Sequence, residues 1–238
     1  MGEKGMKPGR PGDPDFDERR ARARDKLEEL AGAKGGEERQ DWFTRVYQEA
    51  GNDPAMVPWA DLSAKPQLVS WLDENPGAGE LAIDVACGLG DNAEAMAEAG
   101  YETIAFDMSE DAIRWAIQRF PGSQVEYRVN DLFDLPSDWD GAFALVNECF
   151  TIQALQGELR EKAFPAIASL VAPGGTLIVI AWAGASSEHV GPPWPVTEGE
   201  MACFESLGLE RLETLEFEAV RAGGKVIPHQ MVVFSRPD

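Results

Sequence analysis

Acids and glycines that could hold a ligand cluster in one stretch, Leu81 to Asp107, reading LAIDVACGLGDNAEAMAEAGYETIAFD. Asp84 precedes Gly88 by four residues, and Gly90 follows two residues later. Glycine lets a ligand approach the backbone where a Cβ would collide. A helix starting just beyond it, near Asn92, presents free N–H groups and the positive end of its dipole, which suits a carboxylate or a phosphate. Asp107 lies nineteen residues after Gly88 and closes the next apolar run. An acid at that place can accept two hydrogen bonds from ribose hydroxyls. The structural alternatives are a plain tight turn and an acid that caps the helix ahead of Ser109.

Two later segments add to this set. VNDLFDLP places Asn130 and Asp131 after a third strand, set to meet an adenine edge. LVNECFTIQAL closes a fourth strand with Asn147 and Glu148, polar residues ending an apolar run, and Thr151 and Gln153 follow in the same loop. Gly88, Gly90 and Ala93 also fit the G-x-G-x-x-A pattern of nicotinamide dehydrogenases. Asp84 argues against that reading, because a negative charge beside the turn is poor for a pyrophosphate and good for an ammonium. A helix end for a carboxylate, an acid for an ammonium, an acid for a ribose and an acid for an adenine describe an amino acid joined to a nucleoside. S-adenosylmethionine is such a molecule and carries no phosphate. Nicotinamide oxidoreductase and non-catalytic binding protein stand as the rival classes.

These residues need a scaffold that brings strand ends together. From Leu81 the pattern alternates strands and helices. Strands are expected at 81–86, 102–106, 125–129, 142–147 and 176–182, with helices at about 92–99, 109–119, 156–171 and 197–206. Ser109 reads as an N-cap with Glu110 and Asp111 in the first turn. Pro165 predicts a kink or a late start for its helix. The last segments, LERLETLEFEAV and KVIPHQMVVFSRP, read as a strand pair at the sheet edge, with His229 structural. Such alternation implies an α/β fold with a mostly parallel sheet, right-handed crossovers and ligands at the carboxyl ends of the strands.

Upstream, residues 1–35 read as a charged arm, disordered at its start and solvated or partly helical beyond. Residues 36–78 read as a helical cover. It has an amphipathic helix bearing Trp42 and Tyr47, a proline-rich loop bearing Trp59, and a helix from Pro66 to about Glu74. The aromatics either pack a core or cover the ligand, where a ring face near a sulfonium gains about 0.5–2 kcal/mol. SSEHVGPPWPVT, after the fifth strand, is a second candidate cover with Trp194 as a flat wall. His189 in this loop is either a solvated histidine or a general base.

Taken together, DVACGLGDNA, AFDMSEDAI, VNDLFDLP, LVNECFTIQAL and LVAPGGTLIVI resemble the class I S-adenosylmethionine-dependent methyltransferases over residues 81–238. The stretch from Asp41 to Leu72 resembles the N-terminal cover of the thiopurine and thiol methyltransferase-like branch. The resemblance implies a Rossmann-like seven-stranded sheet, mostly parallel with an antiparallel C-terminal strand and helices on both faces. It further implies that Asp84, Cys87, Gly88, Gly90 and Asn92 belong to the turn that holds the methionine end. Asp107 would bind the ribose, with Met108 against the adenine, and Asn130, Asp131 and Leu132 would frame that adenine. Asn147 and Glu148 would lie below the sulfonium, and Trp42 and Trp59 would close the site.

The totals limit the partners. Forty-two acids oppose twenty-one bases, giving a formal net charge of −21. Such a surface repels phosphate backbones and anionic membranes, so a small-molecule methyl acceptor is expected rather than a nucleic acid. No apolar run is long enough to span a bilayer, and the first residues lack a signal-peptide core. A cytoplasmic protein, monomer or homodimer, is expected. The three cysteines, Cys87, Cys149 and Cys203, form no zinc-type pair. No Lys-Asp or His-Asp arrangement dedicated to proton removal is evident. That favours a readily ionised acceptor such as a thiol, with oxygen and nitrogen acceptors as alternatives.

Overall fold

The computed structural model describes residues 9–31, 37–185, 193–220, 224 and 226–238. Its helices and strands follow one another in the order α1 (Pro14–Ala31), α2 (Glu37–Ala50), α3 (Pro66–Glu74), β1 (Leu81–Val85), α4 (Asp91–Glu98), β2 (Glu102–Asp107), α5 (Glu110–Arg119), β3 (Glu126–Val129), β4 (Phe143–Cys149), α6 (Gly157–Ser169), β5 (Val171–Trp182), α7 (Glu198–Ser206), β6 (Glu210–Val220) and β7 (Val226–Ser235).

The seven strands form one sheet in the order β3-β2-β1-β4-β5-β7-β6. All neighbours are parallel except those of β7, which runs antiparallel to β5 and β6. The chain order reverses between β1 and β4, so the switch point for a ligand lies there. Strand side chains alternate between faces. Ile83, Val85, Val146, Val179 and Val232 pack with Phe164, Ile167, Met201 and Phe204 of α6 and α7. Ala82, Leu145, Ile178 and Val233 face Leu68, Leu72 and Met96 of α3 and α4 on the other side. Helices therefore cover both faces, as the strand–helix alternation requires.

Local signals account for most boundaries. Ser109 Oγ accepts from Ala112 N at 3.3 Å and caps α5. Thr197 and Glu200 form a reciprocal capping box at α7. Pro165 sits inside α6 without ending it. The fifth strand departs from expectation. The helix stops at Ser169, and β5 begins at Val171 by pairing with Phe143, ahead of a register shift. Gly175 fits there because a Cβ would lie 2.8 Å from the carbonyl oxygens of Ala172 and Phe143.

The charged arm also departs from a solvated one. Pro14 opens α1, and acids sit in its first turn. Phe16 is fully buried, and the Arg20 guanidinium lies 4.8 Å from its ring centre. Arg19 reaches Asp53, and Arg20 Nη1 lies 3.4 Å from Asp61 Oδ1. Asp61 also pairs with Lys65, so one carboxylate ties α1 to the start of α3. One large side chain and two arginines dock a helix with little apolar surface, which residue counting undervalued.

Candidate functional site

The end of β1 turns sharply. Ala86, Gly88 and Gly90 all have positive φ, at 51°, 55° and 87°. At Ala86 this is a rare conformation for a residue with a Cβ. A Cβ on Gly90 would collide with the Tyr127 hydroxyl, and one on Gly88 would sit 3.0 Å from the Tyr47 hydroxyl. Cys87 N donates to Phe106 O at 2.8 Å and Gly90 N to Cys87 O at 3.0 Å, which folds the turn against β2. Arg119 braces it from α5, donating to both Asp91 oxygens at 2.7 Å.

Three acids converge at neighbouring strand ends. Asp84, Asp107 and Glu148 close β1, β2 and β4, and all are buried. Asp84 Oδ1 accepts from Asn147 Nδ2 at 2.7 Å. Asp107 Oδ2 accepts from Gly88 N at 3.0 Å, and its Oδ1 accepts from Ser109 N at 2.9 Å. Glu148 Oε1 accepts from Thr151 N at 2.6 Å and from Ile152 N at 3.0 Å. The buried atoms Asp84 Oδ2, Asn147 Oδ1 and Glu148 Oε2 have no hydrogen-bond partner.

Burial of these charges outweighs the bonds they accept. It lifts Asp84 to about 7, where the Asn147 amide and the Ala93 N–H oppose it and the neighbouring charges of Asp107 and Asp91 add to it. Burial likewise lifts Asp107 to about 6 against the Ser109 and Gly88 N–H groups. Glu148 is lifted to about 7 by burial. The Ile152 and Thr151 N–H groups and Arg160 lower it, and Asp84 raises it. Among the described residues no cation pairs with any of the three. Buried carboxylates in such a place fit a cationic guest. Orphaned acceptors together with a glycine cradle that a Cβ would fill therefore suit the ammonium, sulfonium and ribose hydroxyls of S-adenosylmethionine.

The remaining expected residues divide into two groups. Met108, Asn130, Asp131 and Leu132 gather at the ends of β2 and β3. Asn130 N donates to Asp107 O at 3.2 Å, Asp131 Oδ1 accepts from Phe133 N at 3.0 Å, and Leu132 is buried. Trp42 and Trp59 meet in the cover, with ring centres 5.7 Å apart. Trp59 Nε1 donates to Tyr47 Oη at 2.7 Å, and that hydroxyl is the one facing Gly88. Cys87 packs beside Ala93, Ala105 and Tyr127, and burial pushes its thiol up, so it is no thiolate. The second group is occupied elsewhere. Asn92 Oδ1 accepts from Lys65 N at 3.0 Å and pins the cover to α4. Gln153 Oε1 accepts from Trp182 N at 2.6 Å and Gln153 O from Trp194 N at 2.8 Å, so this side chain closes a loop-to-strand clasp. Thr151 contributes its N–H to Glu148. His189 lies outside the described residues. His229 is in β7, its ring stacked on Phe217 and its Nδ1 2.9 Å from Ile227 O.

Residue spacing gave no signal for Tyr127, Arg119 or Arg160. Each acts across 28 or more residues, as in Tyr127 to Glu94 at 2.6 Å, Arg119 to Asp91 and Arg160 to Glu200 at 2.6 Å.

Comparison with known proteins agrees with this geometry. Residues 82–175 match the family described as "Methyltransferase domain". The ubiquinone biosynthesis O-methyltransferase of Xanthomonas campestris pv. campestris (strain B100) is 34% identical over 103 residues, 42% of each chain. The chain thus spans under half the length of such relatives. A cypemycin N-terminal methyltransferase of Streptomyces sp is 26% identical over 76% of this chain and 72% of its own. Among solved structures, the N-methyltransferase NodS of Bradyrhizobium japonicum WM9, in complex with S-adenosylhomocysteine, superposes with a TM-score of 0.65. It is 18% identical and covers 82% of this chain and 98% of its own. The 1,6-didemethyltoxoflavin-N1-methyltransferase of Burkholderia thailandensis gives 0.64 at 16% identity, over 84% and 87%. Strand order, glycine turn and family match agree: residues 82–175 match a methyltransferase domain, and the sheet has the Rossmann-like fold of these methyltransferase structures.

Proposed function

We propose that this chain transfers a methyl group from S-adenosylmethionine to a small-molecule acceptor. One observation carries the reading: three buried acids, two of them with an unpartnered oxygen, surround a glycine turn at adjacent strand ends. In it, the turn Ala86–Gly90 receives the methionine tail, Asp84 its ammonium and Asp107 the ribose. Met108, Asn130, Asp131 and Leu132 frame the adenine. Asn147 and Glu148 lie toward the sulfur, and Tyr47, Trp42 and Trp59 close the groove from above. S-adenosylmethionine supplies a methyl carbon already activated by its sulfonium, displaced in line with S-adenosylhomocysteine as the leaving product. What the protein then contributes is alignment and exclusion of water, for which intramolecular reactions set a scale of up to about 7–11 kcal/mol.

A thiol acceptor is our first reading. A thiol needs little help to ionise, so it asks least of the protein. Nitrogen or oxygen acceptors form the second reading. It is supported by the names of the relatives, a cypemycin N-terminal methyltransferase and an O-methyltransferase of ubiquinone biosynthesis. The net charge of −21 argues against nucleic acid as substrate. Calorimetry with S-adenosylmethionine, S-adenosylhomocysteine and NAD tests the cofactor, and binding of NAD alone overturns the proposal. Transfer of labelled methyl groups to a panel of thiols, phenols and amines ranks the acceptors, and no transfer to any of them leaves a binding protein.

A further inference from the structure

Arg160, on α6, is buried and wholly engaged. Its Nε and Nη2 grip Glu200 at 2.6 and 3.0 Å, and Nη2 also donates to Pro195 O at 2.7 Å. Its Nη1 faces Ile152 O, Leu155 O and Trp194 O at 3.3, 3.4 and 3.5 Å. The turn Ile152–Ala154 is thereby fixed to α6 and α7. That same turn orients Glu148, whose Oε1 takes the N–H groups of Thr151 and Ile152. Arg160 also stands close enough to favour the ionised form of Glu148, and Asp84, facing it from β1, opposes this.

We propose that Arg160 is a positioning residue for Glu148: it fixes the turn that aims the carboxylate toward the sulfonium, with its own charge nearby. The role rests on the cofactor reading above. S-adenosylmethionine and S-adenosylhomocysteine differ by one methyl and one positive charge. A group that reads the charge changes the ratio of their affinities, whereas a group that only holds the scaffold changes both together.

The experiment is calorimetry of both ligands from pH 6 to 8.5 on the unaltered protein, R160K, R160M, E148Q and the two double variants. In the unaltered protein, preference for S-adenosylmethionine should grow as pH rises through about 7, where Glu148 ionises. R160M should lower that preference about fivefold at pH 7.5 and move its midpoint to higher pH, with R160K restoring part of it. In the E148Q background neither Arg160 substitution should change the ratio by more than about twofold. Should R160M not fold, R160K with E148Q carries the same cycle. Equal losses for both ligands, or an Arg160 effect that persists with E148Q, overturn the role and leave the cofactor reading standing. Binding of neither ligand by the unaltered protein overturns the cofactor reading, and the role with it.

Discussion

Two regions at the same edge of the sheet handle their polar groups in opposite ways. Where β1, β2 and β4 end, Asp84, Asn147 and Glu148 each keep a buried oxygen without a partner. A few residues further along the chain, all three guanidinium nitrogens of Arg160 meet acceptors, and Gln153 receives the Trp182 N–H. Both regions are buried and both carry charge. The difference lies in completeness: the clasp is finished within the protein, and the groove keeps acceptors that the proposed guest would take. Polar completeness therefore separates the scaffold clasp from the candidate groove better than burial or charge does.

The largest effect expected is in the clasp. Arg160→Met leaves Glu200 and several carbonyls without their partner, and removal of one member of such a pair costs about 3–5 kcal/mol. Scanning calorimetry should show a melting point lower by about ten degrees. A change under two degrees would show that the clasp does not hold the fold. The groove should behave in the reverse manner. Asp84→Asn keeps the oxygen that accepts from Asn147 and removes a charge that burial disfavours. Affinity for S-adenosylmethionine should fall about tenfold or more, while the ligand-free protein melts no lower at pH 8. Loss of stability without loss of affinity would erase the contrast.

A pH scan sharpens the comparison further. Asp84, Asp107 and Glu148 have folded values near 7, 6 and 7, above those of an unfolded chain. A raised carboxyl contributes its full stability below the unfolded value and loses it as pH rises through the folded one. Melting of the ligand-free protein should therefore fall between pH 5 and 8, and Asp84→Asn should flatten the slope. A melting point that rises across that window would contradict the protonation assigned to the groove. The smallest effect belongs to a cap remote from both regions. Thr197→Ala should cost about 1 kcal/mol by chemical denaturation with no change in ligand affinity.

The groove was legible in the sequence because its parts are local. Asp84, Gly88 and Gly90 share one turn, Asp107 and Glu148 close apolar runs, and Asn130 follows an alternating one. Periodicity placed α3 at Pro66–Glu74 and most strands within two residues. The clasp was not legible. Arg160 meets Glu200 forty residues away, and nothing in REKAF marks its arginine as buried rather than solvated. Gln153 and Asn92 read as ligand contacts because they lie beside the site in sequence, yet their side chains serve neighbouring backbone. Phe16 is one aromatic in a charged helix, and only the docked helix reveals it as the anchor. Local order follows from turn chemistry and alternation; long-range pairing follows from topology, which brings distant residues together without leaving a pattern.

The outermost strand carries one more consequence. β6 runs for eleven residues, and among the described residues no strand pairs with its outer side; Leu212 and Val220 are exposed on it at 64% and 72%. Glu210, Glu213, Glu216 and Glu218 alternate with these residues, so two such strands laid side by side would bring acid against acid. That repulsion weakens in acid or in concentrated salt. Storage at low pH, attractive for keeping the groove's carboxyls protonated, would therefore remove the safeguard against strand-to-strand aggregation.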